Sequence, residues 1–493
     1  MPATTELADQ ERGVANAPDV KQGLKAALAY TVASGISNVL SFLLLPLMTR
    51  IVSPAQYGQL SIALAIGGVM GISLSLGLDV SALRNYFQLA DDPRRRDSHI
   101  DSLWLVLLIV PLAAVTIMSA AIAPLLSNSS VLPPVNFVLA LFSGALFAAA
   151  TTIPFAVLRA AQRLRAFLVI GIGNAVLSSA GAVIAVIVLR AGVTGWLASG
   201  TIANLGTLIL AIIAVPFRRP SNPDWALLRQ ALKLGLPMIP HYISHYGLQL
   251  ADRFVLATIV STTSLGVYSL ASNLSTPVMV LVFSLGQGFY PSYSHAGRSE
   301  HGTGDLPAVI VTQVTGVALI TLAGALLAAP VVDLMTPTDY HAAGSLAVWL
   351  VAGYGFLGLY GIPIAIASLT LGTTQGIWHT TLTCLIINIA MVRFLVPIYG
   401  LTAAAVASTV AYAVLFAGVS VYAYRRGARV AIPVRRLTGV VSLCVAAYAL
   451  AATFIGSQTI ADAVLRCIAI GLTATVLALL LPEVRARIPR LVR

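Results

Sequence analysis

Arg50-Ile51-Val52-Ser53-Pro54-Ala55-Gln56-Tyr57-Gly58-Gln59-Leu60-Ser61-Ile62-Ala63 has a second, looser copy 208 residues further on. Ile51, Val52, Ser53, Gly58, Ser61 and Ala63 recur as Ile259, Val260, Ser261, Gly266, Ser269 and Ala271. Upstream, Leu24, Lys25, Leu28 and Leu40 recur as Leu232, Lys233, Leu236 and Leu248, so positions 24 to 63 carry ten identities in forty without a gap. Composition alone gives about three or four. The register returns at Val188, Gly192, Thr194 and Thr201, matched by Val396, Gly400, Thr402 and Thr409. Many transporters are built as a duplication within a run of membrane spans, with the site between the copies.

The run of spans follows from composition. Charged residues make up 9% of the chain and hydrophobic ones 58%, against about 25% charged in a soluble domain. About fourteen apolar stretches are long enough to cross about 30 Å of hydrocarbon. They predict an all-α polytopic membrane protein with about 14 transmembrane helices. The net charge of +12 does not point to nucleic acid, because its placement is one-sided. With the N-terminus inside, 24 of the 29 Lys and Arg fall on the inner side and 5 on the outer. That is the positive-inside bias, so both termini are expected in the cytoplasm, with the basic loops against anionic lipid.

Six spans separate equivalent positions, an even number, so the two copies enter the membrane from the same side. The expected organisation is a cytoplasmic tail over 1–21, a first six-helix half over 22–219 and a second over 220–430. Two extra helices and a basic tail follow over 431–493. The breaker-rich run Arg218-Arg219-Pro220-Ser221-Asn222-Pro223-Asp224 predicts a linker. A short interfacial helix should follow it over 224–234, with Trp225, Leu228 and Leu232 as its apolar stripe. Cys384, Cys444 and Cys467 lack disulfide or metal spacing and read as small packing residues.

At this point the residues resemble a family. Leu236-Pro237, Ala251-Asp252-Arg253-Phe254-Val255-Leu256 and Gly266-Val267-Tyr268-Ser269-Leu270-Ala271 are similar to the start of the second half of polysaccharide-transporter flippases. These include the O-antigen (lipid-linked oligosaccharide) flippases of the multidrug/oligosaccharidyl-lipid/polysaccharide superfamily. The stretch from Arg50 to Gly58, Gly77-Leu78 with Arg84 and Tyr86, and Asn388 with Pro397-Ile398-Tyr399-Gly400 resemble further motifs of it, in order. The resemblance implies a flippase of the cell (inner) membrane. Its substrate would be a polyprenyl-pyrophosphate-linked glycan, moved from the inner to the outer leaflet for surface polysaccharide or lipopolysaccharide.

Charge within a span costs at least about 2.5–3.5 kcal/mol and usually faces a cavity or a partner. Asp252 and Arg253, late in span seven, are therefore the first site candidates. His241, His245 and Asp252 share one helical stripe, and Tyr242, Tyr246, Gln249 and Arg253 the next. Arg253 matches a pyrophosphate in charge and donor geometry, and the tyrosines suit sugars. The alternative is that Asp252 and Arg253 hold neighbouring helices. Arg50 either lines the cavity mouth or snorkels to the interface. Asp79 and Arg84 read as an ion pair across one turn, a structural latch, with ligand binding as the alternative. Asn38, with the serines of span one, either glues helices or lines the cavity, and it aligns with Tyr246. The two histidines have the spacing of a metal pair but no third ligand, so no metal is expected.

No phosphate-binding Gly-rich loop or other cofactor signature occurs, so neither a cofactor nor enzymatic chemistry is expected. A coupling ion, H+ or Na+, is compatible with the chain, with Asp252 or the histidines as carriers. Two rivals share part of these features: a drug or cation antiporter of the same superfamily, and a membrane enzyme acting on lipid-linked sugars. The antiporter should carry acidic residues in its first-half spans, where only Asp79 stands.

Overall fold

The computed structural model describes residue 40 and residues 42–129, 131–215, 224–236, 239–290, 292–293, 306–371, 376–428, 433–456 and 459–481. Among them there are helices and no strands. The long helices, in chain order, are α1 (Pro54–Leu74), α2 (Leu78–Gln88), α3 (Pro93–Ile122), α4 (Pro134–Ala160) and α5 (Leu164–Val183). Then come α6 (Gly192–Ala214), α7 (Trp225–Gly235), α8 (Ile239–Ile259), α9 (Thr262–Gly288) and α10 (Leu306–Met335). The last five are α11 (Ala342–Ala365), α12 (Ile377–Tyr399), α13 (Leu401–Arg425), α14 (Val434–Phe454) and α15 (Ile460–Leu480).

Among the described residues, twelve spans, one of them α1 and α2 together, are long and apolar enough to cross a membrane. The chain is thus a polytopic helical membrane protein. Helix α8 has 21 residues and holds Asp252 and Arg253. It is the expected seventh span, outside the twelve. The expected first span lies mostly outside the described residues, which resume within its last turns.

The repeated Ile-Val-Ser has a local physical cause. Ser53 caps α1, its hydroxyl accepting from Gln56 N, while the Gln56 side chain accepts from Ser53 N at 3.1 Å. Ser261 caps α9 in the same way, accepting from Ser264 N at 3.2 Å. Each cap satisfies an orphan donor of the first turn. Helix starts recur at the same offset or one residue from it: α1 and α9 at 54 and 262, α4 and α11 at 134 and 342, α6 and α13 at 192 and 401. In both series the first helix packs on the second and the second on the third.

The linker helix is α7, capped by Asp224, whose Oδ1 accepts from Ala226 N and Leu227 N at 3.1 Å each. Its apolar stripe is turned differently from expectation. Leu228 and Ala231 are buried and Leu232 packs beside them, against Leu78, Ala82 and Trp104 of the protein, while Trp225 is exposed. The helix is clamped to α2. Ser81 Oγ donates to Ala231 O at 3.0 Å, and Gly77, at φ +61°, lies so close to Gly235 that a Cβ there would stand 2.5 Å from the Gly235 carbonyl oxygen. Arg95 closes the clamp by donating to Asp224 Oδ2 at 2.8 Å, and its guanidinium holds that carboxyl below the usual range.

At the far end of the chain, α14 and α15 pack on α10 through Val311, Leu322 and Leu326. Arg466, buried, donates to the carbonyls of Leu326, Ile455 and Gly456 at 2.7–3.0 Å. A cationic donor on three carbonyls holds the pair, with no carboxylate partner among the described residues. Cys384 and Cys444 are buried and Cys467 is exposed, all free.

Candidate functional site

Three glycines open the site. Gly67, Gly68 and Gly71 recur on α1 at helical spacing, and Gly144 of α4 faces two of them. A Cβ at Gly67 would stand 3.1 Å from Ala140 O, and one at Gly144 would overlap Gly67 O. The two backbones therefore touch, as small residues allow in membranes. Beside this ridge lies a cavity of about 670 Å³, within the range of ligand sites, about 300–1,000 Å³. Helices α1, α2, α4, α5 and α6 form most of its wall, and Tyr242 and Tyr246 of α8 close the remaining side.

The lining is amphipathic. Phe147, Phe155 and Phe167 supply aromatic faces, with Phe155 and Phe167 at 4.5 Å between centroids. Ser75, Ser143, Thr151, Thr152 and Asn204 supply hydroxyls and an amide. The amide is fixed: Asn204 Nδ2 donates to Ser143 Oγ at 2.9 Å, and its Oδ1 accepts from Asn174 Nδ2 at 2.9 Å. At the end farthest from Ser53, one carboxylate and one guanidinium enter the wall, Asp79 and Arg159. Arg159 Nε donates to Phe155 O at 3.2 Å. Asp79 Oδ1 is buried and has no hydrogen-bond partner among the described residues. The expected Asp79–Arg84 ion pair is absent among the described residues, and Asp79 faces the cavity instead.

The structure scatters the residues singled out from sequence. Tyr242 and Tyr246 are at the cavity, whereas Gln249, half-buried one turn on, is outside its lining. Arg253 turns to α9, where it donates to Ser272 Oγ at 3.0 Å and Asn273 Oδ1 at 3.2 Å, and its Nε is buried without a partner among the described residues. Asp252, 5% exposed, accepts from the Tyr268 hydroxyl and from Arg253 N. Ser408 lies beyond Tyr268, at 3.4 Å from its hydroxyl, and Asn388 donates to Ser408 at 3.3 Å. This buried network joins α8, α9, α12 and α13, away from the cavity wall. Arg50 is exposed in the turn before α1. His241 and His245 belong to α8, but their side chains lie outside the described residues, as does Asn38.

Sequence reading passed over Arg159, Asn204, Ser143 and the aromatic trio. Arg159 looked like any inner-end arginine, and single hydroxyls in apolar spans are common as helix glue. The signal that marks the wall is the glycine spacing at 67, 68 and 71, set against polar residues on α4 and α6.

Residues 24–296, more than half of the chain, match the family described as Polysaccharide biosynthesis protein. In fold, the chain is similar to the lipid II flippase MurJ in an inward closed conformation, with TM-score 0.74 and 12% identity over 92% of this chain and 98% of that one. It is also similar to an inward-facing multidrug resistance MATE family transporter of the MOP superfamily, with TM-score 0.60 and 13% identity over 82% and 98%. A stretch of 131 residues is 26% identical to the "Probable multidrug resistance protein NorM" of Bradyrhizobium diazoefficiens, taking in 24% of this chain and only 28% of that protein.

Proposed function

This chain belongs to the polysaccharide biosynthesis protein family, and from that premise we propose that it is a flippase for a polyprenyl-pyrophosphate-linked oligosaccharide. It works in the cell (inner) membrane, with both termini in the cytoplasm, and delivers the glycan to the outer leaflet for surface polysaccharide or lipopolysaccharide. The observation that carries this reading is the amphipathic cavity. Its aromatic faces and fixed hydroxyl and amide groups suit a glycan, and its single guanidinium suits a phosphate. Arg159 lines the cavity at the end expected on the basic side of the membrane, beside Arg163 and Arg165.

Transport then runs by alternating access between the half over 22–219 and the half over 220–430, with the helices over 431–493 as an appendage. The glycan occupies the cavity while the prenyl tail stays in lipid. Arg159 compensates the diphosphate, Tyr242, Tyr246 and Asn204 contact the sugars, and no covalent chemistry is required. Asp252, buried beside Tyr268 and Ser408, is the candidate carrier of a coupling ion, H+ or Na+.

A second reading, a drug or cation antiporter, is favoured by one observation: the acidic residue Asp79 lines the cavity. A strain lacking this chain separates the readings. The flippase reading expects lost surface polysaccharide, with a completed lipid-linked unit held on the inner leaflet and drug sensitivity unchanged. Unchanged polysaccharide with raised drug sensitivity would establish the antiporter, and accumulation of a truncated sugar would indicate an enzyme.

A further inference from the structure

The cavity stops short of the end where α1 and α9 begin, and there the two backbones meet within a packed cluster that includes Tyr57, Leu60, Leu265 and Tyr268. Gly58 and Gly266 occupy equivalent places in the two copies of the repeat, as do Pro54 and Thr262, 208 residues apart in each case. A Cβ on Gly58 would overlap the Thr262 carbonyl oxygen and stand 3.0 Å from Gly266 N. A Cβ on Gly266 would overlap the Pro54 carbonyl oxygen and stand 3.0 Å from Gly58 N. Each glycine thus sits under the first-turn carbonyl of the other helix, in a reciprocal crossing related by the repeat itself. Such a contact has no soft component. The atoms that meet are main-chain atoms, so a methyl group cannot be taken up by a rotamer change.

One polar relay spans the same crossing. Arg253 donates to Asn273 Oδ1 at 3.2 Å, which fixes the amide so that its Nδ2 donates to the Tyr57 hydroxyl at 2.7 Å. Tyr57 belongs to α1 and the other two residues to α8 and α9, so the relay ties the first copy to the second. Alongside it the Tyr340 hydroxyl donates to Val52 O at 2.7 Å.

We infer that the Gly58–Gly266 crossing, held by the Arg253–Asn273–Tyr57 relay, is the gate at the sealed end of the cavity. It is the contact that must part when the cavity opens to the opposite side. In this role Arg253 is a positioning residue acting through Asn273. The inference rests on the alternating-access reading above, and its test requires no glycan.

The test starts from the full chain with Cys384, Cys444 and Cys467 replaced and one reporter on the cavity wall, Ser143→Cys. A membrane-impermeant maleimide is added from the sealed side. Gly58→Ala, Gly266→Ala and Asn273→Leu should each raise the rate of labelling several-fold. Gly200→Ala should not, because a methyl group there meets nothing within 4 Å. Labelling at the Gly200→Ala rate in both repeat-glycine variants, present in the membrane at normal amount, would overturn the gate. If those variants do not accumulate, the pair Tyr57→Cys and Asn273→Cys is bridged with a bifunctional thiol reagent. Bridging should abolish sealed-side labelling of position 143, and labelling that persists would overturn the proposal. Failure of glycan export with an intact labelling response would remove the flippase reading and leave the gate standing.

Discussion

The two copies of the repeat start their helices alike and fill their interiors oppositely. Along α1 and its C-cap the cavity wall is Gly67, Gly68, Gly71 and Ser75; the equivalent positions on α9 are Ser275, Thr276, Met279 and Phe283. On the second helix of each series, Ser143, Thr151 and Thr152 give way to Val351, Leu359 and Tyr360. On the third, Asn204 gives way to Tyr412. Met279, Phe283, Val351, Leu359, Tyr360 and Tyr412 all pack into one hydrophobic cluster. One copy is hollow because its residues are small or polar, and its partner is filled because the same positions carry large apolar groups. Interiors pack to near-crystalline density, so this difference in side-chain volume accounts for a cavity in the first copy and a core in the second.

The largest expected effect comes from filling the hollow copy. A Cβ at Gly68 meets only Tyr246 and Leu250 side-chain carbons, at 3.8 and 3.9 Å. Gly68→Phe should therefore place a ring in the cavity without backbone overlap. Glycan export should fall by about tenfold or more, the loss that follows from about 1.4 kcal/mol of binding, at unchanged protein level. Export that survives the ring would show that the hollow copy is not the path.

Hollowing the filled copy should act on stability instead. Phe283→Ser, which installs the residue of position 75, should cost about 2–4 kcal/mol through lost packing, read as a lower Tm of the purified protein. An unchanged Tm would mean that the second copy is not a packed core. A third variant, Asp252→Leu, gives position 252 the residue its counterpart has at position 44. It removes the acceptor of the buried Tyr268 hydroxyl, at a cost of about 1–3 kcal/mol, and should abolish any dependence of export on an ion gradient. Export that keeps its gradient dependence would exclude Asp252 as carrier.

The smallest effect belongs to the linker clamp, since the Arg95 and Asp224 side chains are 54% and 30% exposed and exposed pairs contribute little. Arg95 lowers the Asp224 carboxyl below its ordinary value. A depressed carboxyl stabilises the fold above the unfolded-state pKa, about 3.9, and loses that contribution as pH falls through the folded value. The Tm curves of wild type and Asp224→Asn should thus differ slightly at neutral pH and converge in acid. Curves that diverge as pH falls would contradict the clamp.

The helical membrane fold, the offset of 208 and the linker helix were legible because composition, charge placement and Ser caps act locally. Tyr242 and Tyr246 were legible as a polar face on span seven. Arg253 and Asp252 were read as charges that need an environment, and both have one, within a network of Ser272, Asn273, Tyr268 and Ser408. Which of the two environments offered by the sequence they had taken depended on rotamer direction and on residues of α9 and α13. Asp79 was read against Arg84 because the spacing allowed an ion pair, but the helix turns its carboxylate to the cavity.

By itself, then, the sequence determined the membrane solvent, the 208-residue offset and the helix starts, since hydropathy, repeated residues and caps are properties of short stretches. The tertiary structure alone decided which copy is hollow and which charges face the hollow. It also decided that two equivalent glycines meet across the sealed end. Those outcomes depend on the volumes and directions of side chains brought together from distant helices, and no window of sequence contains both sides of such a contact.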